Sequence, residues 1–453
     1  MSVSPARRAA LMVLRRVRER ESFGPETLDA VLRAGDMSPR DIALATRLTY
    51  GVLQTMGSLD EAIERTLDRP RALEPAIRDV LRLGAYELLF MRTPARAAVH
   101  EGVDAARKVR SQAAGLANAV LRRIAADADT FPWGDPQTDD AALARATGHP
   151  RWLVDRWIAE LGRDRATEAL YADLDPAPLH LWANTFRASP VEIIDALVAD
   201  GAEPVVEESP GCIRAGNAQS AVRGETVRSG LALVTDAAAQ LAARVVGAHP
   251  GGTVVDLAAG RGTKTAQIQA LSVAAGAPCT LYALDIHPFK CEVLQRRMTD
   301  LRVPGVIPLV GDATDAAAVE GLPPQGSVDA VLVDAPCSGL GALRRRPEKR
   351  WRVTAEDIDR LALLQRSMLD EAASLVRVGG VVVYSTCTVS RAENGDLVAS
   401  FLADRAGEFE TADLSEAVPP SWRGDIGPDG CFQSTPRVDG PDGHFVALLR
   451  RVR

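Results

Sequence analysis

Two of the six cysteines in this 453-residue chain stand in settings suited to covalent chemistry. Cys337 lies in Asp334-Ala335-Pro336-Cys337-Ser338-Gly339, and Cys387 lies in Tyr384-Ser385-Thr386-Cys387-Thr388. Each follows an apolar, strand-like run and sits in a polar, turn-rich segment. Cys212, Cys279, Cys291 and Cys431 lack such a setting and read as small buried hydrophobes. A thiolate at a strand end is a nucleophile. One reaction that needs it is methylation of a pyrimidine at carbon 5, which is too weak a nucleophile to accept a methyl group unaided. Thiolate addition to carbon 6 makes carbon 5 enamine-like; after methyl transfer a base removes the carbon-5 proton and the thiol is eliminated. Asp334 is placed to protonate or hydrogen-bond ring nitrogen 3. A base treated in this way must leave its stack.

The elements that would hold these groups are strands alternating with helices. Apolar runs occur at Thr253–Leu257, Thr280–Leu284, Val306–Val310, Asp329–Val333 and Val381–Tyr384, with helical segments at Thr265–Ala275, Phe289–Leu301 and Leu361–Val376. Strands apolar throughout, with helices between them, predict a doubly wound, mainly parallel sheet, with Phe445–Leu449 as an edge strand. Ligands of such sheets bind beyond the carboxyl ends of the strands. The first strand there runs into Ala258-Ala259-Gly260-Arg261-Gly262-Thr263-Lys264-Thr265, whose small residues permit close backbone approach. The second ends in Asp285, a partner for ribose hydroxyls; the third is followed by Asp312, a partner for an exocyclic amine; the fourth ends in Asp334. Four acids at four strand ends, counting Asp256, suit a nucleoside with a cationic tail and repel a pyrophosphate, so S-adenosylmethionine is expected rather than NAD or ATP.

The two cysteine blocks, with Arg344-Arg345-Arg346-Pro347-Glu348-Lys349-Arg350-Trp351 and Glu393-Asn394, resemble the signatures of the RNA cytosine-carbon-5 methyltransferase family. That resemblance implies that Cys387 is the nucleophile and that Cys337 assists proton removal and product release. It implies that Ala258, Ala259, Gly260, Arg261, Gly262, Thr263, Lys264, Asp285, Asp312 and Asp334 contact S-adenosylmethionine. Arg344, Arg345, Arg346, Lys349 and Arg350 are expected to hold RNA phosphates. The family loop usually reads Asp-x-Cys-Ala-Ala-Pro-Gly-Gly-Lys-Thr; here Ala258, Arg261 and Thr263 replace its Cys, Pro and second Gly, and His444 replaces an aromatic near the end.

Residues 1–126 read as five or more helices. Ser4-Pro5 opens the first; Leu44, Leu48 and Val52 mark a second; others begin near Pro75 and Pro94, and a fifth carries Leu116 to Leu121. Leu81-Arg82-Leu83-Gly84-Ala85-Tyr86-Glu87 and Gly115-Leu116-Ala117-Asn118-Ala119-Val120-Leu121-Arg122 resemble a NusB-type RNA-binding domain. Placed ahead of such a methyltransferase domain, it matches the layout of bacterial 16S ribosomal RNA cytosine methyltransferases. Asp127 to Pro150 reads as a linker, and 151–235 as a small α+β module with strand-like runs at Leu179–Phe186 and Val205–Ile213 around a helix from Val191 to Asp200. The expected domains are thus 1–130, all-α and NusB-like; 131–235, linker and α+β connector; and 236–453, a Rossmann-like methyltransferase.

Net charge is −7, but it is unevenly spread: residues 1–130 carry 21 basic and 17 acidic residues, and the other 323 carry 32 and 43. The basic excess lies where an RNA contact is expected. No apolar run reaches 18 residues and no CxxC pair occurs, so the expectation is a cytoplasmic monomer with no membrane span, disulfide framework or metal site. Three other readings remain open: a transfer RNA substrate; an exocyclic-amine methyltransferase, since Asp334-Ala335-Pro336-Cys337 loosely resembles Asp-Pro-Pro-Tyr; and a non-catalytic RNA-binding protein with an altered donor loop.

Overall fold

The computed structural model describes residues 3–20, 22–67 and 73–453. The chain forms two compact units, 1–176 with 343–352, and 177–342 with 353–453. Residues 131–176 therefore lie in the first unit and 177–235 in the second.

The first unit is a helical bundle. Helices span Pro5–Arg20, Gly24–Arg33, Pro39–Arg65, Pro75–Leu89, Ala95–Val109 and Ala113–Asp127. The helix expected around Leu44 to Val52 is much longer, because Ser38 caps it by accepting from the Asp41 N–H and Ala45, Leu48, Val52, Leu59 and Ala62 keep one face buried. The helix at Gly24–Arg33 was not anticipated. The expected linker contains one further helix, Asp140–Thr147, capped by the Asp139 side chain, and helices Arg151–Leu161 and Arg163–Ala172 follow.

The second unit opens with a four-stranded antiparallel sheet: β1 (Leu179–Ala183), β2 (Pro204–Val206), β3 (Cys212–Ala215) and β4 (Ala232–Val234), in the order β2-β3-β1-β4. The run Val205–Ile213 is two short strands rather than one, since the chain reverses at Gly211, where φ is +77°. Helix Pro190–Ala199 packs on this sheet behind a Ser189–Glu192 capping box.

The larger sheet contains β5 (Thr253–Asp256), β6 (Thr280–Asp285), β7 (Val306–Val310), β8 (Val328–Asp334), β9 (Val376–Thr386), β10 (Phe409–Thr411), β11 (Phe432–Gln433) and β12 (Phe445–Arg451). Its order is β10-β12-β9-β8-β5-β6-β7, with β11 also paired to β12. Strands β5 to β9 run parallel, and β12 is antiparallel to β9. The closing strand is therefore internal rather than at the edge: β10 and β11 cover its free side. Residues alternate between two cores: Val255, Val331, Val333 and Val382 enter one, and Val254, Ala330, Leu332 and Val383 the other. Burial on both faces at roughly 1.5–3 kcal/mol per large aliphatic side chain holds β5, β8 and β9 at the centre. Their carboxyl ends then share one rim.

Candidate active site

Parallel pairing of β8 with β9 sets Asp334 opposite Ser385. Three residues after Asp334 and two after Ser385 come the two cysteines, whose Sγ atoms are 3.3 Å apart. Both are partly exposed, whereas Cys212, Cys279, Cys291 and Cys431 are buried.

The turn carrying Cys337 is held by buried groups. Glu393, with no exposure, accepts from the Ser338 N–H at 2.8 Å, the Ser338 hydroxyl at 2.6 Å and the Gln365 amide at 3.0 Å; that amide also donates to the Pro336 carbonyl at 2.9 Å. The segment after Cys387 is fixed by Asn394, whose amide donates to the Thr388 carbonyl at 2.9 Å and whose side-chain oxygen accepts from Thr386 at 2.6 Å. The two turns also join directly. Gly341 N–H donates to the Cys387 carbonyl at 3.0 Å, and the Gly341 carbonyl accepts from Gly443 N–H at 2.8 Å. A Cβ at Gly341 would fall 2.1 Å from the Gly443 oxygen, so only glycine fits.

Asp334 accepts from the Lys264 ammonium at 2.6 Å and from the Ser385 hydroxyl at 3.2 Å. The same hydroxyl lies 2.9 Å from Nε2 of His444. Burial pulls Lys264 down, but the Asp334 carboxylate outweighs it and the ammonium stands above its ordinary pKa. The ammonium also lies within electrostatic reach of Cys387. Burial, reinforced by the Lys264 charge, pushes His444 down to about 4. It is therefore neutral near pH 7, and a chain from His444 through Ser385 to Asp334 satisfies the polar side chain that stands in place of an aromatic.

The loop from Ala258 to Lys264 leaves β5 at the switch between β6 and β8, where open sheets form a crevice. Gly260 and Gly262 adopt φ of +57° and +76°, and a Cβ at Gly262 would meet Met298 Cε at 2.8 Å. Thr263 begins the helix Thr263–Ala274, and Arg261 is exposed, its carbonyl accepting from Arg297 at 2.8 Å. Asp256 is buried beneath the loop; burial pushes its carboxyl up to about 7, against the Thr265 hydroxyl bond at 2.7 Å. Asp285 at the end of β6 accepts from His287 N–H at 2.9 Å and Lys290 at 3.3 Å. Asp312 follows β7, exposed, and the Thr314 N–H and hydroxyl hold its carboxyl below the ordinary value. The loop thus offers close backbone approach beside the strand-end acids Asp285 and Asp312, whose negative charge fits a nucleoside with a cationic tail better than a pyrophosphate.

The structure therefore brings Cys337, Cys387, Asp334 and Lys264 together and sets the 258–264 loop, Asp285 and Asp312 at ends of parallel strands. It buries two members of the basic run, Arg344 and Arg350, that were expected to meet phosphates. Arg344, Arg345, Arg346, Lys349 and Arg350 belong to the helical unit, where Arg344 is 2% and Arg350 0% exposed. The Arg350 guanidinium donates to the main-chain carbonyls of Gly148 at 3.1 Å and Gln54 at 3.3 Å, so no phosphate can reach it. Arg346 is exposed, its guanidinium 4.5 Å over the Phe23 ring. The Ser338, Gln365, Ser385 and His444 contacts escaped the sequence reading. Gln365 alone left a signal, a polar residue on the helix face that buries Ile358, Leu369 and Ala372. Among the described residues there is no group of three or more His, Cys, Asp or Glu fit to hold a metal ion, and no helix is long and apolar enough to cross a membrane.

Residues 243–450 match the family described as 16S rRNA methyltransferase RsmB/F, residues 4–126 the NusB family, and residues 149–221 the RsmF/B-like ferredoxin-like domain. The chain is 30% identical over 460 residues to the probable ribosomal RNA small subunit methyltransferase B of Bacillus subtilis (strain 168), covering 100% of both. It is 32% identical to the ribosomal RNA small subunit methyltransferase B of Thermus thermophilus, covering 94% of this chain and 92% of that one. The crystal structure of PH0851 superposes with a TM-score of 0.81 at 25% identity, covering 100% of both chains. With relatives matched from end to end and a NusB-like helical domain ahead of a Rossmann-like methyltransferase domain, this chain belongs to the RsmB/F family of 16S rRNA methyltransferases.

Proposed function

We propose that the chain methylates carbon 5 of a cytosine in 16S ribosomal RNA through a covalent bond between Cys387 and carbon 6 of the base. The observation that carries this reading is the pair of thiols 3.3 Å apart on one strand rim, with Asp334 on the adjoining strand end. Exocyclic-amine methylation needs no thiol, let alone two.

Residues 258–264 with Asp285, Asp312 and Asp334 would hold S-adenosylmethionine, whose sulfonium would supply an electrophilic methyl group. Cys387 adds as thiolate to carbon 6, and the Lys264 ammonium favours that anion. Asp334, whose carboxylate accepts from the Lys264 ammonium at 2.6 Å, relays a proton from that ammonium to ring nitrogen 3 as the adduct forms. With carbon 5 methylated, Cys337 removes its proton; the electron pair re-forms the carbon 5–carbon 6 double bond, nitrogen 3 returns its proton, and Cys387 leaves as thiolate. His444 and Ser385 fix the Asp334 carboxylate. Arg345, Arg346 and Lys349, which reach the surface of the helical unit, are the members of the basic run that would meet phosphate.

The test is methylation of 16S ribosomal RNA from an unmodified strain by the purified full chain, read by bisulfite sequencing, with Cys387→Ala in parallel. New 5-methylcytosine with wild type and none with a folded Cys387→Ala protein is the expected result. Methylation of an exocyclic amine, or full turnover by Cys387→Ala, would sink the proposal. Methylation confined to transfer RNA would reassign the substrate.

A further inference from the structure

The loop between β5 and the helix Thr263–Ala274 loses much freedom when it orders. Gly260 and Gly262 both take positive φ, and glycine gives up more backbone freedom on ordering than any other residue. Two main-chain ties oppose that loss: Ala259 N–H donates to the Leu284 carbonyl and Gly262 N–H to the Ala259 carbonyl, each at 2.8 Å. Further ties come from the helix Pro288–Leu301, which lies against β6 and β7 and so has a position of its own.

Leu294, Arg297 and Met298 stand three and four residues apart on that helix and share one face. Leu294 and Met298 are buried, and a Cβ at Gly262 would meet Leu294 Cγ at 3.0 Å and Met298 Cε at 2.8 Å. Arg297, half-buried beside them, reaches the residues on either side of that glycine. Its Nη1 donates to the Arg261 carbonyl at 2.8 Å and to the Thr263 hydroxyl at 3.2 Å. One nitrogen thus holds both flanks of Gly262. Positions 261 and 263 are also where the loop departs from the family pattern: Arg261 stands for a proline, whose ring would fix φ, and Thr263 for a glycine, which has no hydroxyl. The stiffness that a proline would supply is replaced by a side-chain tie, one end of which needs the Thr263 hydroxyl.

We infer that Arg297 is a positioning residue for the methyl donor: it braces Arg261 and Thr263 across Gly262 and so holds the 258–264 loop in the form that receives S-adenosylmethionine. The effect on affinity rests on the donor reading above; order in the loop reports on the brace independently.

The experiment uses the full chain with Arg297→Ala, Arg297→Lys and Thr263→Ala, and with Arg296→Ala, which removes the charge of the exposed neighbour. Three measurements are made: the dissociation constant for S-adenosylmethionine by calorimetry, amide hydrogen exchange of the free protein by mass spectrometry, and kcat with KM for RNA at saturating donor. Arg297→Ala is expected to weaken donor binding about tenfold, the factor that follows if the loop is competent one-tenth of the time. Exchange should quicken across 258–264 and stay as in wild type in β8 and β9. The kcat and the KM for RNA should stay within about twofold, the pattern of lost binding without lost chemistry. Arg297→Lys keeps the charge and can reach one acceptor, so it should fall between Arg297→Ala and wild type. Thr263→Ala removes one of the two bonds and should move affinity and exchange in the same sense by a smaller factor; it decides the matter should Arg297→Ala not fold. Arg296→Ala should match wild type. Folded variants with unchanged donor affinity and unchanged loop exchange would overturn the inference. So would an equal loss from Arg296→Ala, the mark of bare charge, exchange raised throughout the sheet, the mark of general disruption, or a loss confined to kcat. If wild type binds no S-adenosylmethionine, the donor reading fails, and loop exchange still decides the brace.

Discussion

Cys337→Ala should convert a turnover enzyme into one that captures its substrate. Cys337 is partly exposed, so removing its sulfur costs on the order of 1 kcal/mol of burial. A domain stable by about 5–15 kcal/mol stays folded after such a loss. Addition of Cys387 to carbon 6 draws on Lys264 and Asp334, which the substitution leaves in place 2.6 Å apart. Release depends on removing the carbon-5 proton, and losing a positioned base slows that step by about 10²–10⁴-fold. The adduct then outlasts that of the wild type by the same factor, about 10²–10⁴. Incubation with 16S ribosomal RNA and S-adenosylmethionine, followed by a denaturing gel, should show an RNA-dependent shifted band for Cys337→Ala and none for Cys387→Ala or the double variant. No band, or wild-type turnover by Cys337→Ala, would refute the assigned roles; a band from Cys387→Ala alone would exchange them.

His444 makes stability depend on acid. Its folded pKa of about 4 lies below the ordinary value near 6.5, so its contribution is whole above pH 6.5 and is lost as pH falls toward 4. That contribution is about 3 kcal/mol, and His444→Phe should flatten the denaturant-midpoint curve over this window; an unchanged slope would count against a buried neutral imidazole. Glu393→Gln turns one of two acceptor oxygens into a donor facing groups that already donate, so denaturant titration should show a loss of about 1.5–3 kcal/mol together with reduced kcat. Gly341→Ala forces a Cβ against the Gly443 carbonyl; the cost should be about 1–3 kcal/mol, and methylation should fall with donor affinity preserved. Wild-type methylation by Gly341→Ala would show that the two turns need not be joined there.

Strand periodicity, the acids at Asp285, Asp312 and Asp334, and the two cysteine blocks were legible in the sequence because each is local: an apolar run followed by a polar turn announces its own strand end. Parallel neighbours then follow from alternation of strands and helices, and two thiols on one rim follow from parallel neighbours. The position of the final strand was not legible. Whether Phe445–Arg451 lies at an edge depends on where β10 and β11 fold back, which its own residues do not encode. The Glu393 clamp was equally hidden, since Ser338 and Gln365 reach one carboxylate from positions 55 and 28 residues away.

The basic run shows the division most plainly. Its composition established positive charge near the chemistry, and from charge alone a phosphate partner is the natural reading. Only the folded chain decided that Arg350 spends its charge on backbone carbonyls more than 170 residues away in sequence, while Arg346 stays at the surface. Residue type establishes what a group can do. Burial, which sums over atoms from distant parts of the chain, decides which partner it meets.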